Sequence, residues 1–486
     1  MAIANRTPGV HTQEISVLPP SVAEVLTAVP AFVGYTEKAK RGVANDLRGK
    51  PTEIFSMTEY QQYYGGPQSD YGTTQADRLH ADVNVDADGN VSVEVNTPRL
   101  TYLLYYAMKS FFDNGGGKCY VVSVGEYKTT DPTIELSDDG DTTMGLMDGI
   151  EALAQEDEPT ILVVPEATQL ANDADYQNLS QKMLAQCGDL KDRFALLDVR
   201  GGNAPIISND DSISDVAGNN SLQKNRTLVS SPHQKYGAAY YPFLKTGMNF
   251  FVTEEADNVH VTLDGAAAVT LDTLNETNTL VFNAVKSELK KHYVVLPPSA
   301  SIAGVYSATD EARGVWKAPA NVVLSNVIEP MVKVDDVRQA DMNVDSTSGK
   351  SINVIRAFAG KGTVVWGART LAGNDNEWRY VPVRRLFNTI EESIKKSTHW
   401  AVFEPNDANT WVKVRGMIGN YLTLKWREGA LAGASPDDAF FVQCGLGTTM
   451  TSQDILEGRL NVEIGIAAVR PAEFVILKFS HKLQTS

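Results

Sequence analysis

The chain has 486 residues, of which 43% are hydrophobic and 21% are charged. This composition is typical of globular proteins, and the length leaves room for about three domains. With 60 acidic and 43 basic residues the net charge is −17, so the chain lacks the basic excess of nucleic-acid-binding proteins and we expect no nucleic acid partner.

Targeting signals are not recognisable in the sequence. The first residues show no basic region followed by an apolar stretch, which argues against a secretory signal. The longest apolar runs, such as residues 161–165, are too short to cross a bilayer, so we expect no membrane insertion. The cysteines Cys119, Cys187 and Cys444 are odd in number and widely spaced, which excludes a disulfide framework and indicates synthesis in a reducing cytosol.

The first 21 residues differ from a folded domain. A short strand-like stretch, residues 10–17, lies between Pro8-Gly9 and Pro19-Pro20. A single strand cannot satisfy its own backbone groups, so it needs a partner sheet. Two interpretations follow, a frayed terminus or an arm that adds a strand to another subunit, and the frequency of frayed termini favours the first on the residues alone.

The next region alternates strand, helix and strand. Residues 30–34 are predicted as a core strand, residues 100–112 as a helix with Leu104 and Met108 on its buried side, and residues 120–124 as a buried strand. The glycines at 115–117 are predicted to end the helix. Two hairpin inserts, about residues 66–98 with a turn at Asp88-Gly89 and about residues 249–282 with a turn at Asp264-Gly265, are expected as surface decorations.

From residue 145 the pattern alternates between helix and strand. Helices are predicted at 147–154 and 176–187, and strands at 160–165, 194–198 and 238–243. This alternation predicts a partly parallel α/β domain. The last third is predicted to contain amphipathic helices at 385–402 and 409–426 followed by strands at 439–442, 461–469 and 473–479. The overall fold class is therefore α/β, or α+β.

Several segments match motifs of metal-binding, phosphate-binding or catalytic sites only in part. Residues 84–95 would need a Glu where Val95 stands to form an EF-hand loop, and hairpin strands flank them. Residues 115–118 resemble a phosphate loop but lack its upstream glycine and follow a helix. Asp310, Glu311 and Arg313 are interpreted as capping or ion-pairing groups. No GxGxxG turn is present, so a nucleotide-utilising α/β enzyme is a remote alternative, and we expect no cofactor, no metal site and no catalytic residue.

Eight segments, in order along nearly the whole chain, carry a resemblance. They are residues 7–14, 27–34, 111–122, 296–306, 310–321, 365–371, 380–385 and 403–406. Together they resemble the contractile tail sheath family of myophages, contractile bacteriocins and phage-tail-like injection systems. His11 stands where an aromatic residue is commoner in the family, and the two hairpin inserts are additional.

The resemblance implies a domain arrangement. Residues 1–21 would be an N-terminal linker arm, 22–125 the first part of an inner sheath domain, 126–350 an inserted outer α/β domain, 351–470 the second, tube-contacting part of the inner domain, and 471–486 a C-terminal strand or arm. It also favours the arm interpretation of the terminus. The residues implied to link subunits by strand addition are Val10, Thr12, Ile15, Val17, Val475, Leu477 and Phe479.

The resemblance further implies a non-enzymatic structural subunit that polymerises as stacked rings around an inner tube and contracts to drive that tube through a target envelope. Implied partners are other copies of the chain, the tube protein, and baseplate and terminal cap proteins; whether sheath paralogues co-assemble is left open. The expected setting is an injection system whose particle assembles in the cytoplasm and is then released, with a bacteriophage tail as the alternative.

A local basic excess marks residues 384–427 in an otherwise acidic chain. Since a helix of this region contacts the tube in the family, often through charge complementarity, we hypothesise that some of its basic residues face an acidic tube. The alternative is an ordinary solvated helix face. The candidate residues are Arg384, Arg385, Lys395, Lys396 and Lys413.

Overall fold

A computed structural model describes residues 21–69, 78–98, 100–128, 132–136, 144–208, 220–253, 255–474 and 476. Within them the strands are β1 (Pro30–Thr36), β2 (Thr52–Ile54), β3 (Leu79–Val85), β4 (Val91–Asn96), β5 (Cys119–Glu126), β6 (Ile161–Val163), β7 (Phe194–Asp198), β8 (Ile206–Ser208), β9 (Asn220–Ser221), β10 (Gly237–Tyr241), β11 (Leu244–Asn249), β12 (Val259–Leu263), β13 (Val269–Thr270), β14 (Tyr293–Leu296), β15 (Val322–Val323), β16 (Val327–Pro330), β17 (Ile352–Phe358), β18 (Gly362–Val365), β19 (Phe440–Gln443) and β20 (Glu463–Ile466).

The α-helices within the same residues are α1 (Met57–Tyr64), α2 (Leu104–Asp113), α3 (Leu146–Leu153), α4 (Asp173–Leu190), α5 (Leu222–Leu228), α6 (Leu271–Thr277), α7 (Thr279–Leu289), α8 (Ser299–Arg313), α9 (Asp336–Asn343), α10 (Val381–Ser397), α11 (Ala408–Arg427), α12 (Pro436–Ala439) and α13 (Ser452–Leu456). The chain divides into two compact units. The large unit comprises Leu26–Asn388 with Arg470–Ser486, and the small unit comprises Met1–Val25 with Thr389–Val469.

A mixed sheet forms the centre of the large unit. Its described strands have the order β15-β18-β17-β10-β7-β6-β1-β5-β2. The six strands from β17 to β5 are parallel to one another, and antiparallel strands complete both edges. The predicted parallel α/β core is therefore confirmed, and the predicted strand at residues 194–198 coincides with β7.

Helices cover both faces of this sheet because its central strands are apolar on both sides. One core joins Ala31, Val33 and Leu162 to side chains of α3 and α4, and the other joins Phe32 to side chains of α2 and α8. All seven residues of β1 are buried, as a central parallel strand requires. Helix α2 ends at Asp113 and is followed by the C-cap Asn114 and by Gly115, which has a φ of +89°. This confirms the prediction that the glycines end the helix.

The two inserts are not separate hairpins. Strand β3 of the first insert pairs in parallel with β12 of the second, giving the sheet β13-β12-β3-β4 with its own hydrophobic core. The turn at Asp264-Gly265 is present, with positive φ at both residues. Beyond Thr270 the prediction of a continuing hairpin is wrong, because α6 and α7 follow and bury Leu274, Val281 and Val285 at near-helical spacing.

The small unit contains the second half of α10, helix α11 and a two-stranded antiparallel sheet of β19 and β20. Helix α11 begins at the N-cap Asp407, whose carboxylate accepts hydrogen bonds from the backbone N–H groups of Asn409 and Thr410. The predicted pair of helices and the two strands that follow them are confirmed, with α10 beginning four residues earlier than expected.

The compact units do not coincide with the predicted domain boundaries. Residues 22–125, 126–350 and 351–470 all contribute strands to the sheet of the large unit, and the division falls instead after Val25, Asn388 and Val469. The assignment of inner and outer parts in an assembled sheath stays a prediction.

Candidate tube-contacting site and assembly arms

Arg384 is not a surface residue. Its guanidinium group is about 2% exposed and lies 4.3 Å from the centroid of the Trp378 ring and 5.0 Å from that of Tyr236. Its Nε donates a 2.7 Å hydrogen bond to Asn388 one helical turn along α10. The prediction that Arg384 contacts a tube is corrected, because a guanidinium enclosed by aromatic rings in the large unit cannot also face a partner.

Arg385 is buried in the same unit and forms an ion pair. Its Nη1 and Nη2 lie 3.0 and 2.6 Å from the two carboxylate oxygens of Asp310, and both side chains are 3% exposed. Nη2 also donates to the carbonyl oxygen of Thr27, and the guanidinium lies 4.6 Å from the Tyr306 ring centroid. Arg385 is therefore also withdrawn as a tube contact. The interpretation of Asp310 as an ion-pairing group is confirmed.

The three lysines of the candidate set lie in the small unit and are accessible to different degrees. The Lys395 side chain is 64% exposed and that of Lys396 is 32% exposed. Both lie near one carboxylate, that of Glu392, at 3.1 and 3.5 Å, and this carboxylate is itself only 7% exposed. Lys413, on α11, is exposed. The accessible positive charge at the end of α10 is therefore partly neutralised by Glu392.

A contact missed by the sequence reasoning joins the start of the described chain to α10 and α11 within the small unit. The backbone N–H groups of Ala23 and Val25 donate to the hydroxyls of Ser397 and Ser393, each at 3.1 Å. Lys425, which is buried, places its ammonium 2.6 Å from Glu24. These hydrogen bonds fix residues 23–25 against the helices directly after the predicted N-terminal arm.

The residues predicted to form the assembly arms belong to the two ends of the chain. Val10, Thr12, Ile15, Val17, Val475, Leu477 and Phe479 lie outside the described residues. The described end of the C-terminal segment is anchored in the large unit, where Arg369 donates to both carboxylate oxygens of Glu473 at 2.7–3.2 Å and Asn343 donates to one of them. Glu473, predicted as the start of the last strand, lies outside any strand.

Glu166 occupies the place in the large unit where a parallel sheet would bind a ligand. After β1 the chain crosses through α2 to β5, and after β6 it turns the other way to β7, so the carboxyl ends of β1 and β6 form a topological switch point. The fully buried Glu166 side chain accepts hydrogen bonds there from the N–H groups of Tyr35, Leu103 and Leu104 at 2.8–3.1 Å.

The Glu166 carboxylate thus takes the N-terminal N–H groups of α2 that a phosphate would use in a nucleotide-binding protein. Burial raises the pKa of this carboxyl to about 8, against the opposing effect of the three N–H donors. A Cβ at Gly34 would come within 2.7 Å of Glu166, so the glycine makes room for it. A lone acidic residue directly after a buried strand and a proline was the available sequence signal.

The described residues contain neither a candidate metal site nor a candidate membrane-spanning helix. No group of three or more His, Cys, Asp or Glu side chains in this part of the chain is arranged to hold a metal ion. Among the same residues, no helix combines the length and apolar character needed to cross a membrane.

Comparison with solved structures relates this architecture to known assemblies. A subunit of the anti-feeding prophage (AFP) helical sheath in its contracted state matches 99% of this chain and 100% of its own length, with 31% sequence identity and a TM-score of 0.62. The chain belongs to the contractile tail sheath family. Another structure with the same relationship is the sheath of the extracellular contractile injection system PVC in its contracted state, with 29% identity, 99% coverage of both chains and a TM-score of 0.63.

Sequence comparisons also relate the chain to tail sheath proteins. The family model described as the phage tail sheath C-terminal domain matches residues 373–482, which include α10, α11 and the β19–β20 sheet. The tail sheath protein of Enterobacteria phage T4 is 26% identical over 208 residues, 41% of this chain. That match spans 31% of the phage T4 protein, so the chain covers less than a third of this sheath relative.

Proposed function

We propose that this chain is the structural subunit of a contractile sheath, which polymerises around an inner tube and contracts to drive the tube through a target envelope. The observation that supports this most strongly is the match, along almost the whole of both chains, to the subunit of the AFP helical sheath. An injection system is favoured over a bacteriophage tail because the AFP and PVC sheaths match the chain over its full length at about 30% identity.

The subunit acts without catalysis in this proposal. Contraction of a preassembled polymer needs no nucleotide if the extended form is kinetically trapped and the contracted form buries more surface. The internal occupation of the switch point by Glu166 supports this view, because its carboxyl group already takes the N–H donors with which an α/β enzyme would bind a phosphate-bearing ligand.

Neighbouring subunits are joined by strand addition in the proposed assembly. The β19–β20 sheet has only two described strands of four residues each, so it offers two edges to incoming strands. The arms would be residues 10–17, with Val10, Thr12, Ile15 and Val17, and the C-terminal residues Val475, Leu477 and Phe479. Main-chain hydrogen bonds across such edges tolerate subunit rotation because they depend little on side chains.

A first experiment tests polymerisation and the arm together. The recombinant chain and a variant lacking residues 1–20 would be imaged by negative-stain electron microscopy, alone and after co-expression with the neighbouring tube gene. We expect hollow tubes from the full chain and monomers from the truncated one. Monomers from the full chain even with the tube protein present would contradict the sheath proposal, whereas tubes from the truncated chain would contradict only the arm.

The tube-facing surface is proposed to include Lys395, Lys396 and Lys413. The direct test is Lys413→Glu, because Lys413 is exposed and no ion pair of it is found among the described residues. We expect weaker co-sedimentation with the tube protein and a steeper loss at low salt, where unscreened charges act over longer distances. Arg427→Glu, another exposed basic residue of α11, is the matched control; equal effects of the two changes would contradict a specific site.

The setting and remaining partners follow from the same proposal. The chain would assemble in the cytoplasm with baseplate and terminal cap proteins, and the finished particle would leave the cell. A phage tail sheath is the second candidate, supported by the match to the phage T4 protein. Capsid genes beside the sheath gene would favour the phage tail, and their absence would favour the injection system.

A further inference from the structure

A groove of about 570 Å³ opens in the large unit where α2, the segment after β11 and helix α7 meet. Its walls are aromatic, with Tyr105 from α2 and the consecutive Phe250 and Phe251 after β11. Phe251 is 36% exposed, although a ring of this size is usually buried in a monomer. The groove has the volume and the apolar lining of a binding pocket, so it can receive several side chains of a partner.

The charged side chains that line this groove all have one sign. Its charged lining residues are Lys109 on α2, Lys286 on α7 and Lys290 directly after α7. Within the part of the chain that the structure describes, none of these three lysines forms an ion pair. The adjacent Lys291, which does not line the groove, is paired with Glu288 at 2.6 Å. Three unneutralised lysines around aromatic walls in a chain of net charge −17 define a local site for a partly apolar anionic segment.

We propose that this groove, here called the lysine groove, receives a carboxylate-bearing, partly apolar surface segment of a second copy of the chain. The inference rests on the proposed function, in which each copy has neighbours of identical sequence. A neighbouring copy carries the same net charge of −17, so the surface it presents is predominantly acidic and complements the three lysines.

The geometry of the contact agrees with helical growth. A groove on one copy that takes a different segment of the next copy is a heterologous interface, and such interfaces propagate into open helical polymers when the rotation does not close a ring. The aromatic walls would supply the desolvated centre of the contact and the lysines its charged rim. The contact would therefore add an interface to those made by the proposed exchanged strands.

Isotope-mixed cross-linking tests where the lysines point in the polymer. Equal amounts of ¹⁴N- and ¹⁵N-labelled chain would be co-assembled, treated with a zero-length carbodiimide that joins amines to carboxylates, and digested for mass spectrometry. We expect mixed-isotope cross-links from Lys286 or Lys290 to Asp or Glu peptides. The proposal is overturned if these lysines give cross-links only within one copy, or only to co-assembled tube protein, while mixed-isotope links form elsewhere.

Charge reversal provides the second readout. The variant Lys286→Glu/Lys290→Glu is expected to raise the protein concentration needed for polymerisation about tenfold or more, because like charges would then face each other across the contact. Lys291→Glu, next to Lys290 in the turn after α7, is the matched control and is expected to change this concentration less than twofold. Far-ultraviolet circular dichroism and thermal unfolding of the monomers verify that both variants fold.

The outcomes separate this inference from the function on which it rests. Failure of the unmodified chain to polymerise, with or without the tube protein, would contradict the sheath function. Normal polymers from the unmodified chain together with an unchanged polymerisation threshold in Lys286→Glu/Lys290→Glu would contradict only the lysine groove as an interface.

Discussion

The Arg385–Asp310 pair provides a quantitative test of how the large unit is held together. Both side chains are 3% exposed, and the two guanidinium–carboxylate contacts are 3.0 and 2.6 Å long. Removing one partner of such a pair leaves an uncompensated buried charge, which costs about 3–5 kcal/mol. We therefore expect Asp310→Leu and Arg385→Met each to lower the local free energy of unfolding by about that amount.

The double variant Arg385→Met/Asp310→Leu should recover much of this loss. Neither buried charge remains in it, and replacement of a buried pair by apolar residues of similar size is often neutral or stabilising. One loss remains in the double variant, because the carbonyl oxygen of Thr27 no longer receives the hydrogen bond of Arg385. The cost of that single acceptor is about 1–3 kcal/mol, so the coupling energy between the two sites should be at least about 3 kcal/mol.

Hydrogen exchange is the suitable assay, because a chain of 486 residues with two compact units need not unfold in one step. Exchange rates of amides in α8, which carries Asp310, report the local opening free energy in each of the four proteins. Exchange in α11 of the small unit is the internal control and should change little. Single variants that cost less than about 1 kcal/mol, or a double variant that costs the sum of the two, would refute the argument from charge burial.

Three further predictions concern other groups. Glu166→Ala should destabilise the large unit by about 3 kcal/mol or more, since three buried N–H groups lose their acceptor. Sodium acetate should raise the melting temperature of Glu166→Ala more than that of Glu166→Gln, because acetate can take the place of the missing carboxyl group. Equal responses of the two variants would contradict an anion site. Burial raises the pKa of Asp198 to about 7, so the folded state binds this proton more tightly than the unfolded state and stability should fall as pH rises from about 4 to 7; urea titrations should show a smaller fall in Asp198→Asn. Phe403 is fully exposed and has a φ of +68°. Phe403→Gly should therefore raise the local free energy of opening at residues 399–407 by up to about 1 kcal/mol and slow amide exchange there. Faster exchange would refute backbone strain at this position.

The sequence was sufficient for elements whose pattern is local. Strand β7 was predicted at its observed limits because five residues of mainly apolar character stand between turn and helix signals. The turn at Asp264-Gly265 was predicted because the pair tolerates positive φ, which both residues adopt. The parallel pairing of β3 with β12 was not predicted, since it joins segments 180 residues apart (Leu79 with Val259) and no local pattern specifies such a partner.

The environments of the candidate site residues likewise could be predicted only where they depend on the local sequence. Arg384 and Arg385 were expected to face the tube because they belong to the local basic excess of residues 384–427. Their environments depend on distant residues: Tyr236 and Trp378 stack near one guanidinium, and Asp310 neutralises the other. Nothing in the local sequence of α10 reveals these partners. The resemblance to the sheath family, in contrast, predicted the family membership and the mixed fold class that comparison with the AFP sheath confirms.

Helix α10 shows why arginine and lysine have separate tasks in this protein. A guanidinium is planar, weakly hydrated and able to stack or to bind a carboxylate with two hydrogen bonds, so Arg384 and Arg385 can be buried in the large unit at moderate cost. An ammonium is strongly hydrated, and Lys395 and Lys396 accordingly keep contact with water while both approach Glu392. Glu391 and Glu392 precede these two lysines on the same helix, so the formal charges of residues 391–396 cancel. Reversal of both lysines would also leave the buried Glu392 carboxylate without a counter-charge, so a loss of tube binding in that variant could arise from misfolding. Lys413, which shares no carboxylate in the described chain, is therefore the residue at which a charge reversal reports on the tube contact itself.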